Sequence, residues 1–346
     1  MKRIYYIILV LMISNLESIN AQDVHFSQFS QTPQLINPGA TGVFEGAFRG
    51  IINYRTQWGE LGGGYKTYAA SFDAPITKKN KKGSYLGLGA NFYKDVAGKS
   101  SFGNLQIGFS PSAVLAIARN QTISLGIQAA YGQSSADLSA LTWGNQFNGV
   151  GFSTGVNSNE NLSLRSSKYF DLGTGVYYEF KKSKTSFFGG ETSSFNIGIA
   201  GYHLNQPKQN LFSESEDVLP MKIVTQVAGS FDLSDSKLAL VPSIFYAKQK
   251  NFNEITAGIL LKIKLGKDVT KYSGFFKQGA IYFGGHYRVK DAIIPQLYLE
   301  FADYMIGISY DYNTSALSSV TGGNGGLEIS IKYVNKPKAL KKSSFK

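Results

Sequence analysis

From Ala47 onward, apolar and polar residues alternate along the chain with a period of two. Ile123, Leu125, Ile127, Ala129 and Tyr131 interleave with Thr122, Ser124, Gly126, Gln128 and Ala130. The same rhythm runs through Leu86, Leu88, Ala90 and Phe92, through Ile306, Ile308, Tyr310 and Tyr312, and through Leu327, Ile329, Ile331 and Tyr333. Alternation puts one residue set on each face of a strand. A soluble sandwich hides its apolar face, whereas a transmembrane barrel turns that face to lipid. Two features favour lipid. Many runs reach ten residues or more, where strands of soluble proteins usually have about five or six. The opposite face is rich in Gly, Ser, Asn, Gln and charge, as a wet lumen requires.

The runs fall near Ala47–Trp58, Lys66–Pro75, Tyr85–Asp95, Gly103–Ile117, Gln121–Gln133, Tyr169–Phe180 and Ser194–Leu204. They continue near Lys222–Leu233, Leu238–Lys248, Glu254–Lys264, Gly279–Val289, Ala292–Ala302, Tyr304–Asn313 and Gly325–Val334. The count is even, as a single-chain outer-membrane barrel needs. The pattern therefore predicts an all-β fold, a transmembrane antiparallel up-and-down β-barrel of about 14 strands over residues 47–334. With both chain ends in the periplasm, the long connections Ser134–Lys168 and Asn205–Met221 each follow an odd strand and fall outside, where long loops belong.

The N-terminus agrees with export. Lys2 and Arg3 precede the apolar stretch Ile4–Ile13, and a polar segment leads to Ile19-Asn20-Ala21. This is the layout of a secretory signal peptide, residues 1–21, cut after Ala21. The stretch is about half of the ~20 residues a spanning helix needs. The 346 residues contain no Cys, which excludes a lipid-anchored cysteine, disulfides and thiolate metal sites. A mean hydropathy of −0.12 excludes a bundle of transmembrane helices. The 21 Tyr and 24 Phe are too many for a chain that never packs. Residues 22–46 form an N-terminal segment, periplasmic or lumenal, and residues 335–346 a basic periplasmic tail.

The predicted topology also separates the charge. The turns on the periplasmic side hold Lys78, Lys79, Lys81, Lys82, Arg119, Lys181, Lys182, Lys184, Lys237, Lys267, Lys271 and Lys277, and the tail adds five more lysines. Against these 17 stand four acids, Glu191, Asp235, Asp268 and Asp303, so most of the formal net charge of +12 sits on one rim. Lysines there solvate strand ends and discourage edge pairing. They equally form a docking face for an anionic periplasmic partner by electrostatic complementarity, with Lys78, Lys79, Lys81, Lys82, Lys181, Lys182, Lys184, Lys267 and Lys271 as candidates. Nucleic acid is not an expected partner of an exported barrel without a stacking groove.

Catalytic motifs do not hold up. Tyr65 interrupts the phosphate-loop spelling of Gly59–Thr67, and no helix follows it. Gly151-Phe152-Ser153-Thr154-Gly155 fits a nucleophile elbow in spelling, but lies in a Gly/Ser/Asn-rich loop rather than a strand-to-helix turn. His25, His203 and His286 lack the spacing of metal ligands. No catalytic residue, metal or cofactor is expected. One strand pair stands out. Arg49 and Asp73 both fall on the polar face, and a hairpin centred near Gly62 sets them opposite as a lumenal salt bridge.

The stretch before and around the first strand carries a more specific likeness. Asp23-Val24-His25-Phe26-Ser27-Gln28-Phe29 is followed by Leu35-Ile36-Asn37-Pro38-Gly39-Ala40-Thr41-Gly42, then by Arg49, Tyr54-Arg55-Thr56-Gln57-Trp58 and Ser71-Phe72-Asp73-Ala74-Pro75. Later pieces are Leu141–Phe147, Tyr202–Pro207, Val241-Pro242-Ser243, Ser309–Asn313 and Leu327–Ser330. In this order the chain resembles the PorP/SprF family, outer-membrane proteins of the type IX secretion system. His25, Phe26, Ser27, Gln28, Asn37, Pro38, Arg49, Arg55, Trp58 and Asp73 carry the likeness. The lysine-rich tail beyond Val334 departs from the usual ending on the final strand.

The resemblance implies a non-enzymatic component of secretion and gliding machinery in the outer membrane of a Gram-negative bacterium. It implies support for the export or surface attachment of large adhesins with a type IX C-terminal signal. It also implies contact with periplasmic secretion-machinery or peptidoglycan-binding proteins, besides outer-membrane lipid. The segment before the first strand then either fills the lumen or reaches a partner. Two other classes leave distinct signatures. A passive channel for small solutes predicts ion conductance, and a hydrolase predicts turnover lost in Ser153→Ala.

Overall fold

The computed structural model describes residues 23–335 apart from 60–62, 78–82, 154, 160–164, 185–190, 210, 212–217, 235, 266–278 and 317. The expected signal peptide, the tail from residue 336, and Lys78, Lys79, Lys81, Lys82, Lys267 and Lys271 lie outside the described residues, as does the side chain of Lys184.

Fourteen antiparallel strands close into one barrel, each paired with its sequence neighbours and the first with the last. They are β1 (Arg49–Gln57), β2 (Tyr65–Pro75), β3 (Tyr85–Ala97), β4 (Phe102–Ala118), β5 (Gln121–Ala136), β6 (Arg165–Lys184) and β7 (Glu191–Tyr202). Then come β8 (Lys222–Asp232), β9 (Leu238–Gln249), β10 (Phe252–Leu265), β11 (Gly279–Arg288), β12 (Ala292–Phe301), β13 (Tyr304–Asn313) and β14 (Asn324–Val334). Closure is made by β1 against β14, with Arg49 opposite Val334 and Arg55 opposite Glu328. It leaves no sheet edge, so every strand meets a neighbour on both sides.

The strands match the alternation closely, and the differences have local causes. β6 is longer than its apolar run because its polar ends still pair, Ser166 with Ser135 and Lys181 with Ser194. β7 stops at Tyr202, two residues short of the expected Leu204, because His203 takes a left-handed backbone conformation (φ 56°) that ends the ladder.

The faces are inverted relative to a soluble protein. Ile52, Ile107, Leu125, Ile127, Phe170 and Ile199 are exposed on the outside, where lipid covers them. Arg55, Asp73, Gln128, Asp171, Ser243, Asp311 and Glu328 are buried on the inside. Aromatic residues gather where β1, β2 and β12–β14 meet the end at which β1 begins. Tyr304 packs on Tyr333 and Phe301, and Phe48 on Tyr333 and Phe72. Such girdles mark a membrane interface. The end at which β1 begins is called the near end below, and the opposite end the far end. The longest connections among the described residues, after β5 and after β7, are at the far end.

Candidate functional site

Residues 23–48 do not join the sheet. They run through the lumen from the far end to the near end as short turns, Phe29–Gln31, Pro33–Ile36 and Pro38–Ala40, before entering β1. The segment has few charges and no alternation, so it gains little as a strand. Its Ser, Gln, Asn and Thr side chains match a polar lumen wall instead. Most residues from Phe26 to Val43 are buried, and the wall holds them in two different seats.

The first seat is ionic. Arg55 on β1 lies 2.9 Å from Asp311 on β13 and 3.0 Å from Glu328 on β14. Arg288 on β11 lies 2.9 Å from the same Asp311 and 3.3 Å from Glu254 on β10. Ser27 and Gln28 are inserted into this network. The Ser27 and Gln28 backbone N–H groups donate to the two Glu328 oxygens at 2.7 and 3.1 Å. Ser27 Oγ donates to Asp311 at 2.6 Å and accepts from Arg288 at 2.7 Å and from Arg55. The Gln28 amide donates to the Glu328 carbonyl at 2.9 Å and accepts from Ser330 at 2.6 Å. Gln296 Nε2 donates to the Ser27 carbonyl at 3.0 Å. Charges this deeply buried persist only when paired and hydrogen-bonded. The plug therefore completes the wall's own polar network.

The second seat is steric. The turn Asn37–Gly42 lies against β2–β7. Asn37 Nδ2 donates to the Val176 carbonyl at 3.0 Å, and Ser112 Oγ donates to the Thr41 carbonyl at 2.7 Å. The wall comes this close because Gly126, Gly175 and Gly198 have no side chains. A Cβ on Gly126 would strike the Pro38 carbonyl, and one on Gly175 or Gly198 would strike the Asn37 amide. The expected pair forms beside this seat. Arg49 is directly opposite Asp73, at 2.7 Å. The pair also binds the plug, Arg49 donating to the Ala40 carbonyl at 3.2 Å and Gly42 N–H donating to Asp73 at 2.7 Å. Phe29 joins the seats through an apolar cluster with Ala200, Tyr202, Val224, Phe245 and Ala247.

The start of the plug is pinned at the far end. Asp23 lies 2.7 Å from His203 Nε2 and 3.5 Å from Lys222, and His203 Nδ1 lies 3.0 Å from Asp171. Burial disfavours the imidazolium of His203, but Asp23 and Asp171 outweigh it and push its pKa up to about 9. Burial likewise opposes the charged form of Asp23, yet Lys222 and His203 hold its carboxyl below the usual range. Burial, reinforced by the guanidinium groups of Arg288 and Arg55, keeps His25 well below its ordinary value, so it sits in the lumen as a neutral ring.

The structure thus gathers most of the residues singled out in the sequence. His25, Phe26, Ser27, Gln28 and Arg55 lie in or beside the ionic seat, and Asn37, Pro38, Arg49 and Asp73 in or beside the steric one. Trp58 stands apart at the far end of β1, edge-on to Tyr65 at 5.4 Å. Lys181 and Lys182 lie at the near end, Lys181 pairing with Glu45 at 2.8 Å. Arg288 and Glu254 were not singled out in the sequence, and Asp311 and Glu328 only as parts of the family likeness, although each is a charged residue at a lumen-facing position of its strand. Ser153 sits in a loop, its N–H donating to the Gln146 carbonyl at 2.9 Å. Ser243 and His286 are hydrogen-bonded at 2.7 Å, but His286 Nδ1 has no partner among the described residues, and the Phe29 ring packs edge-on against it at 5.4 Å. Among the described residues no group of three or more His, Cys, Asp or Glu is placed to hold a metal.

The sequence profile described as "Type IX secretion system membrane protein PorP/SprF" matches residues 18–333. No curated protein matches the chain. Among solved structures, a Pseudomonas aeruginosa FadL homologue is similar at 11% identity and TM-score 0.46, covering 88% of this chain and 94% of that one. BamA from Haemophilus ducreyi lacking POTRA domains 1–3 is similar at 11% identity and TM-score 0.41, covering 84% of this chain and 70% of that one.

Proposed function

The chain belongs to the PorP/SprF family of type IX secretion system membrane proteins, and from that premise we propose that it works as a plugged anchor rather than a conduit. It is an outer-membrane β-barrel. In this reading it supports the export or surface attachment of large adhesins in the secretion and gliding machinery, and docks periplasmic machinery at its near end. The observation that carries the reading is the lumen occupied by the chain's own residues 23–48, tied by the hydrogen bonds of Ser27 and Gln28 into a buried ion-pair network of the wall. A small-solute channel needs that space open. In this reading the far end, which carries the long connections, faces outward and the near end faces the periplasm. There the basic rim, with Lys181 and Lys182 exposed or half-exposed on β6, suits an anionic partner such as an acidic protein or peptidoglycan.

The test compares the secreted and surface proteome of a strain lacking this gene with its parent and with a strain carrying Lys78, Lys79, Lys81 and Lys82 all changed to Glu. Loss of one or a few large adhesins in the deletion strain, restored by the parental gene, supports the secretion role. An unchanged proteome contradicts it. If the charge-reversed barrel folds and still supports export and co-purifies with the same periplasmic partners, the rim is not the docking face.

A further inference from the structure

The lipid-facing side of the barrel is not uniform at its far end. Pairing registers place Tyr68 on β2, Lys94 on β3, Leu105 on β4, Gln133 on β5 and Lys168 on β6 in one row across the outer face. Lys66 sits beside the row, on the same face as Lys94 and one diagonal step away, because its own partner is Val96. Neighbouring strands are about 4.8 Å apart, so the backbone positions of Lys94 and Lys168 are separated by ~14 Å. The next row toward the membrane centre is Phe92, Ile107, Tyr131 and Phe170, the last three well exposed. Cations directly above an aromatic and aliphatic row are what a strand presents where it leaves hydrocarbon and meets headgroups.

Two further observations give this patch a direction. No outward-facing position of β2–β6 holds Asp or Glu. Asp95, next to Lys94 in sequence, turns its carboxylate into the lumen and accepts from Thr67 Oγ1 at 2.5 Å. The surface also forms a recess of about 180 Å³ here, walled by Lys94, Val96, Leu105, Gln133 and Ser135, by Ser101 and Gly103 where β4 begins, and toward the lumen side by Asp95 and Asn104. At its edge Gln133 Nε2 donates to Ser166 Oγ at 2.9 Å, two residues before Lys168. Lysines with no acid on their own outer face, beside a polar recess whose carboxylate, Asp95, is held by Thr67 on the lumen side, fit an anion carried by a lipid.

We propose that Lys66, Lys94 and Lys168, with the recess between β3 and β5, bind the phosphorylated headgroup of an outer-leaflet glycolipid, its acyl chains lying on the Ile107, Tyr131 and Phe170 face. Phosphate chemistry is chosen because all three side chains are point-charge donors without a carboxylate on their own face. A lipid rather than a soluble anion is chosen because the patch is continuous with the apolar band. A sugar head phosphorylated at both ends spans the gap between Lys94 and Lys168. The assignment to the outer leaflet rests on the orientation proposed above.

The test uses the full-length mature barrel in detergent, with the triple variant Lys66→Gln, Lys94→Gln, Lys168→Gln beside it. Binding is read by native mass spectrometry and by the rise in Tm on adding a diphosphorylated glycolipid, its dephosphorylated form, phosphatidylglycerol, or inorganic phosphate. The wild-type barrel is expected to retain the diphosphorylated glycolipid and gain Tm with it alone. The triple variant, folded and equally stable without lipid, is expected to bind it about a hundredfold more weakly. Equal retention by the variant, equal stabilisation by the dephosphorylated form or by inorganic phosphate, or a preference for phosphatidylglycerol would each overturn the proposal. None of these readouts involves adhesin export, so their failure is separable from failure of the secretion role.

Discussion

The two seats of the lumenal segment hold the same chain by opposite means. At Ser27 and Gln28 the wall supplies charge, and the plug satisfies donors and acceptors that β1, β11, β13 and β14 already bring together. At Asn37–Gly42 much of the wall's contribution is absence, three glycines that let the turn approach the strand backbone. The ionic seat ties strands to one another as well as to the plug, so damage there reaches the barrel. The steric seat is specific to the plug, so damage there should open the lumen and leave the strands paired.

The largest effect is expected from Arg55→Met, which leaves Asp311 and Glu328 with one fewer cation in a buried site. Removing one partner of a buried pair costs about 3–5 kcal/mol. Heat-modifiable mobility on gels should show the barrel unfolding at markedly lower temperature. A loss within about 1 kcal/mol, the scale of an exposed pair, would show that the seat is solvated. A smaller effect, confined to the plug, is expected from Gly126→Ala. Its methyl group meets the Pro38 carbonyl, an overpacking cost of about 1–3 kcal/mol. Faster maleimide labelling of a cysteine introduced at Val43, with unchanged barrel unfolding, is the outcome that separates the seats. Equal destabilisation of barrel and plug would erase the distinction.

The smallest effect concerns the pin at Asp23. The pKa of His203 is raised from 6.5 to about 9 in the folded state. Its contribution is therefore complete below about pH 6.5 and is lost as pH rises through about 9. Asp23 is shifted the other way from 3.8, so its contribution is present above that value and is lost on stronger acidification. Labelling of a cysteine at Val24 should accelerate between neutral pH and pH 9 beyond the rise due to thiol ionisation alone. His203→Gln should remove that excess. An excess that persists in the variant would place the titrating group elsewhere.

The strands were legible because each lipid-facing residue obeys a strict period, and Arg49–Asp73 because a single hairpin sets its register. The ionic seat was harder to read. Arg55 and Glu328 become opposite only once β1 closes on β14, and Arg288, with Glu254 diagonal to it on β10, reaches Asp311 across β12, a convergence of strands that no single hairpin sets. Gly126, Gly175 and Gly198 read as ordinary small residues of a polar face. Their role exists only when Asn37 and Pro38 are in place, a contact between segments roughly 90 to 160 residues apart that no local pattern encodes. Ser27, Gln28, Arg55, Asp311 and Glu328 were all visible as pieces of a family motif, but their meeting in one network was not.

The central claim, that the barrel is closed by its own N-terminal segment, is tested most directly by conductance of the purified mature protein in planar bilayers. The wild-type barrel should be silent or nearly so, and a variant lacking residues 23–43 should open large, steady conductance steps while its strands remain folded. Steady porin-like conductance from the wild type, or a deletion variant that folds and conducts no better, would contradict it.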